Sequence, residues 1–278
     1  MRHQEGHFTA HDGIDIFYQM WTPEEKPRAI FLIAHGIGEH GGRYGNYVDY
    51  FVPRGYALYA MDLRGCGRSG GRRGHVDRFD DFVNDVRQLH NLAREAQFSG
   101  KVFLLGHSFG SLVALTYGLR HPEGLSGVII SGTALRDALP YPDWVRAIIR
   151  RMGQAVPTLS VPSGLKIQYL SRDAAVVEAY RRDPLVHSVG TLRWAAESIA
   201  IREWLYRHAA EWSLPLLMLH GGDDQICLKE GAQLFRERAG NARVAYRQYE
   251  GMYHEIHNEV GKELVFRDIE AWLERIVQ

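Results

Sequence analysis

The stretch from residue 102 to 115 most constrains the fold of this 278-residue chain, because it sets a serine between two kinds of apolar run. Residues 102–105 are long enough for a buried strand, and 111–119 are compatible with a helix. Between them lies Gly106-His107-Ser108-Phe109-Gly110, a G-x-S-x-G pattern. This order predicts a strand, a sharp turn with Ser108 at its apex, and a helix.

The two glycines of this pattern have a physical role. A turn this tight holds Ser108 in a strained backbone conformation, and side chains at positions 106 and 110 would collide with the strand and the helix. The hydroxyl then stands at a helix N-terminus, where backbone N–H groups and the helix dipole favour a negative oxygen. Ser108 is therefore the predicted nucleophile, and the strand–helix context favours this over a chance match among the 29 glycines.

The rest of the chain alternates between strand-like and helix-like segments. The apolar run 29–34 is typical of a strand covered on both faces, 79–96 and 262–277 have helical periodicity, and 230–239 is also predicted to be a helix. Asp-Gly at 12–13, between β-like runs, predicts an antiparallel hairpin. The pattern predicts an α/β fold with a mostly parallel eight-stranded sheet flanked by helices. The predicted strands are 8–10, 14–21, 29–34, 57–61, 102–105, 127–131, 216–219 and 244–249.

One long stretch, 133–211, interrupts this alternation and lacks β-like runs. We therefore expect an α/β core formed by 1–132 and 212–278, with an α-helical cap, or lid, inserted at 133–211 over the catalytic edge of the sheet. The predicted cap helices are 141–152, 171–182 and 191–208.

The first predicted cap helix has an apolar face that could serve either of two purposes. We favour ordinary packing on the core, and docking on a membrane surface or micelle is the alternative. The face comprises Tyr141, Val145, Ile148, Ile149 and Met152.

Composition argues against several classes of protein. The 33 basic and 33 acidic residues are well mixed, unlike the basic stripe of a nucleic-acid-binding protein. No run approaches 18 apolar residues, so we expect no transmembrane helix, and the N-terminus lacks the apolar segment of a secretory signal. These features predict a cytoplasmic location.

Neither the cysteines nor the histidines indicate a structural or catalytic metal. Cys66 and Cys227 are too few for a disulfide framework. His254 and His257 are three residues apart, but no second pair of ligands at metal spacing accompanies them. We expect no metal and no cofactor.

A serine nucleophile needs a base and a third group that orients the base. With a serine on this type of turn, the chain order is serine, acidic residue, histidine. The strand 216–219 leads to Asp223-Asp224, and the last strand leads to His254. His254 is preferred to His257 because it directly follows the glycine-containing loop. The residues alone leave Asp223 and Asp224 open as the acidic partner.

The reaction also needs two N–H donors that stabilise the negatively charged oxygen of the tetrahedral intermediate. The backbone N–H of Phe109 is one, and the glycine-rich loop 35–42 should supply the other from Ile37. Losing one such donor typically costs ~3 kcal/mol of transition-state stabilisation. His107, beside the serine, should pack under the turn.

Six stretches that span nearly the whole chain match one known family: 35–40 with Arg43-Tyr44, 62–69, 106–110, 183–185, 221–227 and 249–255. Through them the chain resembles the monoacylglycerol lipase and lysophospholipase family of α/β-hydrolases. The resemblance implies the α/β-hydrolase fold, a helical cap over an apolar acyl pocket, Ser108 as nucleophile, and Asp224 and His254 as its partners. It also implies Ile37 and Phe109 as oxyanion donors. Phe109 stands where the family often has methionine, and we expect it to narrow or reshape the pocket mouth.

Three functions are compatible with these features. The first is a serine carboxylester hydrolase that cleaves monoacylglycerols or similar single-chain, lipid-like esters through an acyl-enzyme on Ser108. The second is a peptidase or amidase, which would need an acidic residue such as Asp173, Glu178 or Glu197 for the substrate's amine. The third, a non-catalytic ligand-binding protein, is disfavoured because binding alone needs no Ser, Asp and His set. Candidates for the substrate pocket are Gly36, Glu39, His107, Leu139, Trp144, Ile148 and Ile226.

Overall fold

The computed structural model describes residues 1–97, 100–137, 142–240 and 243–277. Within these ranges, eight strands form one sheet and two short strands pair separately. In chain order the strands are β1 (Arg2–Thr9), β2 (Asp15–Thr22), β3 (Ala29–Ala34), β4 (Tyr56–Met61), β5 (Lys101–His107), β6 (Gly127–Ser131), β7 (Ser160–Pro162), β8 (Val189–Thr191), β9 (Leu216–Gly221) and β10 (Val244–Tyr249).

The large sheet has the strand order β1-β2-β4-β3-β5-β6-β9-β10. Strands β3 to β6, β9 and β10 pair in parallel, while β1 and β2 form the antiparallel hairpin and β2 pairs antiparallel with β4. The predicted α/β fold with a mostly parallel eight-stranded sheet is confirmed. Because all six parallel strands end at one edge, the loops that follow them come together there.

Eight helices lie in the described part of the chain, and the predicted bounds of the last two are confirmed to the residue. Among the described residues, none of the helices combines the length and the apolar character needed to cross a membrane. The helices are α1 (Gly45–Phe51), α2 (Phe79–Gln97), α3 (Phe109–Arg120), α4 (Asp143–Ala155), α5 (Ala174–Arg182), α6 (Leu192–His208), α7 (Glu230–Ala239) and α8 (Lys262–Val277).

The hydrophobic core lies on both faces of the sheet. Along β3, Ile30 and Leu32 pack into the core cluster beneath α2, α3 and α7, and Phe31 and Ile33 pack into the cluster beneath α1 and α8. Successive side chains of a strand point to opposite faces, so a strand covered on both sides must be apolar throughout. This explains the uninterrupted run of residues 29–34.

The stretch 133–211 contains α4, α5 and α6, but the expectation that it has no strands is wrong. Ser160–Pro162 pairs antiparallel with Val189–Thr191, which closes a loop within this stretch. Strands of three residues are too short to produce a periodic pattern. Ile201 and Leu205 of α6 belong to the main core cluster, so the second half of that helix is packed with the sheet. The division into core and cap stays a prediction.

Candidate active site

Ser108 sits on the sharp turn between β5 and α3. Its φ of 51° and ψ of −118° make it the one non-glycine residue of the described chain with a positive φ. A Cβ atom on Gly106 would lie within 3.0 Å of the Gly110 carbonyl oxygen, and one on Gly110 would lie within 3.0 Å of that of Ala34. The turn therefore needs glycine on both sides of the serine and holds Ser108 in a strained conformation.

Asp224 and His254 follow β9 and β10 and are joined directly. His254 Nδ1 donates to Asp224 Oδ2 at 2.7 Å, and Oδ1 of the same carboxylate accepts from the backbone N–H groups of Ile226 (2.8 Å) and Cys227 (3.0 Å). Since a carboxylate only accepts, the proton of the neutral imidazole lies on Nδ1, and Nε2 keeps its lone pair. Asp223, in contrast, is exposed.

The electrostatics of this pair favour opposite charges. Burial alone would raise the pKa of Asp224, but the His254 charge and the hydrogen bonds from His220 and His254 outweigh it, and the pKa lies well below its usual value. Burial alone would lower the pKa of His254, but the Asp224 charge and hydrogen bond, together with the charges of Glu255 and Glu39, outweigh it, and the pKa is raised. The protonated form of His254 is thus stabilised in a buried site.

The turn that bears Ser108 lies beside this pair. The Ser108 backbone N–H donates to Ser131 O at 2.9 Å, at the end of β6. A Cβ atom on the next residue, Gly132, would lie 3.0 Å from His254 Nδ1. The rings of His107 and His254 have centroids 4.8 Å apart. The structure therefore brings Ser108, Asp224 and His254 together at the carboxyl edge of the sheet.

His220 is a polar contact of this site that sequence reasoning missed. It is the penultimate residue of β9, is fully buried, and places Nε2 3.2 Å from Asp224 Oδ2 and 3.0 Å from the Cys227 carbonyl oxygen. Both neighbours are acceptors, so Nε2 carries a proton and His220 is a second donor to Asp224. The available signal was a histidine at the end of the strand that precedes the aspartate.

The loop after β3 approaches Ser108 from the other side. A Cβ atom on Gly36 would lie 3.2 Å from Ser108 Cβ, which sets this loop against the serine. Glu39 Oε1 accepts from the Gly36 backbone N–H at 2.6 Å and from the Tyr44 hydroxyl at 3.0 Å. Ile37, the predicted oxyanion donor, is half-buried next to Gly36.

Arg43 links this loop to the loop that carries His254. Its Nη1 donates to Glu39 Oε2 at 2.5 Å and to Glu255 Oε1 at 2.7 Å, and its Nη2 donates to Glu255 Oε2 at 2.8 Å. The guanidinium also lies 4.6 Å from the ring centroid of Tyr180 in α5. One buried cation thereby joins the loop after β3, the loop after β10 and helix α5.

Most of the predicted pocket residues close to Ser108 are buried, and their role stays a prediction. Gly36, Glu39 and His107 are buried, and Ile226 is half-buried against the core. Leu139 lies outside the described residues.

Phe109 lines a small pocket together with Gly36, Ile37 and Trp194, and its effect on the pocket mouth stays a prediction. Its ring is buried against Phe82 (centroids 5.2 Å apart) and Trp194 (4.8 Å apart), within the main core cluster. The side chain therefore joins α2, α3 and α6 beside this pocket.

The exposed face of α4 contradicts part of the predicted packing. Trp144, Ile148 and Met152 are 68%, 51% and 39% exposed, and Val156, which follows the helix, is 39% exposed. The helix packs on α6 through its opposite side, where a Cβ atom on Gly153 would lie 2.7 Å from Ala196 Cβ. Ordinary core packing is therefore wrong for Ile148 and Met152, whereas Val145 and Ile149 are half-buried and Tyr141 lies outside the described residues.

His257, the other histidine of the last loop, is fully buried. Its ring stacks on Tyr44 at 5.1 Å and contacts His107 at 4.8 Å. Burial, and to a lesser degree the nearby His107, lowers its pKa to about 3, so the ring stays neutral. Within the described ranges, no three histidine, cysteine, aspartate or glutamate side chains are grouped in a way that could hold a metal ion.

Comparisons with known proteins extend over almost the whole chain. The family model described as serine aminopeptidase, S33, matches residues 25–261. The monoacylglycerol lipase of Mycolicibacterium smegmatis is 34% identical over 270 residues, which cover 97% of this chain and 96% of that protein. The phospholipase YtpA of Bacillus subtilis is 32% identical over 262 residues, which cover 93% of this chain and all of that protein. The crystal structure of the monoacylglycerol lipase of Paleococcus ferrophilus is 28% identical, covers 99% of both chains and superposes with a TM-score of 0.83.

Proposed function

This chain belongs to the hydrolase family described as serine aminopeptidase, S33, and we propose that it is a serine ester hydrolase acting on monoacylglycerols or similar single-chain esters. One observation carries the proposal: Ser108 on its strained turn lies beside the hydrogen-bonded pair of His254 and Asp224. The names of the relatives in Mycolicibacterium and Paleococcus support the substrate class, since both are monoacylglycerol lipases.

The chemistry follows from these three side chains. Ser108 attacks the ester carbonyl while His254 Nε2 takes the hydroxyl proton, and Asp224 stabilises the imidazolium that forms. His254 then gives the proton to the leaving alcohol, and an acyl group stays on the serine. Water, activated by the same histidine, releases the fatty acid. The raised pKa of His254 suits the imidazolium intermediate.

The negative oxygen of each tetrahedral intermediate needs donors that are already in place. We assign this role to the backbone N–H groups of Ile37 and Phe109. Phe109 begins α3, so its N–H is among the first of the helix and lacks a partner within it. The closeness of Gly36 to Ser108 supports the assignment of Ile37.

The peptidase alternative is disfavoured by the contacts of the acidic residues weighed for it. Glu178 pairs with Arg181 and Arg182 of its own helix. The Asp173 side chain accepts from the Ala175 N–H and caps α5, and Glu197 accepts from the Phe79 N–H at 2.9 Å. Each carboxylate has a structural partner, so none is left poised for a substrate amine.

We further propose that residues 133–211 act as a cap over a core formed by 1–132 and 212–278, and that α4 contacts a lipid surface. Trp144, Ile148 and Met152, the exposed apolar residues of α4, are spaced four apart and therefore share one side of the helix. Arg151 is exposed on the same helix, which suits an anionic surface. A substrate dissolved in a bilayer or micelle gives such a contact a purpose.

Two substrates compared under the same conditions test the proposed bond. We expect the wild type to release fatty acid from a medium-chain monoacylglycerol and to leave aminoacyl naphthylamides intact. Cleavage of the amide at a comparable rate would instead support the peptidase.

A further inference from the structure

His35 is a fully buried histidine at the end of β3, and the mechanism above does not use it. Its Nδ1 lies 2.7 Å from the Gly36 carbonyl oxygen, and its Nε2 lies 2.8 Å from the Leu63 backbone nitrogen. A carbonyl only accepts and a backbone N–H only donates. The proton is therefore on Nδ1, and Nε2 accepts from Leu63. The two neighbours together fix one tautomer of the ring.

The surroundings also fix its charge. Burial lowers the pKa of His35, and the charges of Glu39 and Asp62 oppose this effect without overcoming it. The ring is accordingly neutral, which matches the pair of hydrogen bonds: a doubly protonated ring would aim an N–H at the Leu63 N–H.

The hydrogen bond from His35 to the Gly36 carbonyl holds the Gly36–Ile37 peptide, whose N–H is the proposed oxyanion donor. The Gly36 carbonyl and the Ile37 N–H belong to the same peptide unit and point in opposite directions across its plane. A donor that fixes the carbonyl on one side therefore fixes where the N–H points on the other. This peptide adjoins Ser108, since a Cβ atom on Gly36 would lie 3.2 Å from Ser108 Cβ. Donation to the carbonyl also polarises the N–H into a stronger donor.

We propose that His35 is a positioning residue of the oxyanion hole: its Nδ1–H holds the Gly36–Ile37 peptide so that the Ile37 N–H faces the negative oxygen of the intermediate. Its second hydrogen bond, which Nε2 accepts from the Leu63 N–H, joins the loop after β3 to the loop after β4. This inference rests on the proposed ester hydrolysis and on the assignment of Ile37.

Two substitutions of His35 each keep one of its two hydrogen bonds and remove the other. The asparagine amide lies three bonds from Cα, as Nδ1 does, and the glutamine amide lies four bonds away, as Nε2 does. His35→Asn can thus still donate a hydrogen bond to the Gly36 carbonyl but loses the hydrogen bond from the Leu63 N–H. His35→Gln can still accept from the Leu63 N–H but loses the hydrogen bond to the Gly36 carbonyl. We expect His35→Asn to keep kcat near the wild-type value with a lower Tm. We expect His35→Gln to keep its Tm and lose about ten- to hundredfold in kcat at unchanged KM, since complete loss of an oxyanion donor costs roughly a hundred- to thousandfold.

Either variant alone can contradict the proposal, so the experiment remains informative if the other variant does not fold. A folded His35→Gln with wild-type kcat, or a folded His35→Asn with a hundredfold loss, would overturn the proposal. Equal losses in both would reduce His35 to a packing residue. The wild type and Ser108→Ala are assayed alongside on a short soluble ester. If the wild type has no Ser108-dependent activity, the proposed function fails, and that result is distinct from a failure of the inference about His35.

Discussion

Arg43 and Glu255 are 212 positions apart in the chain and form a two-point ion pair, with hydrogen bonds of 2.7 and 2.8 Å. Their side chains are 9% and 2% exposed, and Arg43 also binds Glu39, which is 3% exposed. Glu255 directly follows His254, so this pair couples the loop that carries His254 to the loop beside Ser108. Stability and activity should both depend on it.

Arg43→Met should strongly destabilise the fold. It leaves two buried carboxylates without their cation, and breaking a buried pair in this way costs about 3–5 kcal/mol. The measurement is urea unfolding at pH 7, with Arg28→Met as control, since the Arg28–Glu274 pair is partly exposed and worth less than ~1 kcal/mol.

The cost of Arg43→Met should also depend on pH. Arg43 lowers the pKa of Glu255, so the stabilisation is present above the unfolded-state pKa of about 4.3 and is lost as the pH falls. The difference between variant and wild type should therefore shrink in acid. A difference that is constant from neutral to acidic pH would show that the ion pair is not its cause.

The pH profile of activity tests the charge around His254. Only neutral His254 can take the serine's proton, and its pKa is raised above the ordinary value, so the acidic limb of kcat/KM should lie above about pH 6.5. Glu255→Gln removes a nearby negative charge and frees the positive charge of Arg43, and both changes disfavour the imidazolium. The acidic limb of kcat/KM should therefore move to lower pH in Glu255→Gln. Glu274→Gln, at an exposed pair, should leave it in place, and a shift toward higher pH in Glu255→Gln would contradict this account.

The two adjacent aspartates should behave very differently. Asp224 accepts from His254 at 2.7 Å, whereas Asp223 is exposed. Asp224→Asn should lower kcat about ten-thousandfold by favouring the wrong tautomer of the histidine, and Asp223→Asn should leave kcat nearly unchanged. Steady-state kinetics on one ester decides this, and comparable losses in the two variants would argue against Asp224 as the orienting residue.

Elements with a strong local pattern could be predicted from the sequence. The bounds of β3, α7 and α8 agree with the structure because each has a continuous or periodic apolar pattern between clear breaks. Strands β7 and β8 escaped prediction because three residues, among them Pro162 or Gly190, contain no period.

The contacts around the site were harder to predict, because they join distant parts of the chain. The residues placed Asp223 and Asp224 in one turn, but which of them faces His254 depends on the turn's three-dimensional path, and only the family resemblance indicated Asp224. Arg43 and Glu255 stand in matched motifs, yet nothing local indicates that they pair. His35 directly precedes Gly36 in the chain, but its proposed role can be inferred only from the hydrogen-bond partners of its two ring nitrogens.

The apolar side of α4 should govern attachment to lipid without governing chemistry. Ile148→Glu should weaken binding to anionic phospholipid vesicles and leave hydrolysis of a short soluble ester unchanged. Leu264→Glu is the matched control, because Leu264 is similarly exposed on α8. Vesicle sedimentation measures the effect, and equal binding by both variants would assign the α4 face no part in docking.

Release of fatty acid from a medium-chain monoacylglycerol, measured for the wild type and Ser108→Ala side by side, tests the central claim most directly. We predict steady release by the wild type and none above the uncatalysed rate by the variant, with both proteins folded. Release that persists in Ser108→Ala, or a wild type that releases none, would contradict the assignment of this chain as a serine ester hydrolase of that substrate class.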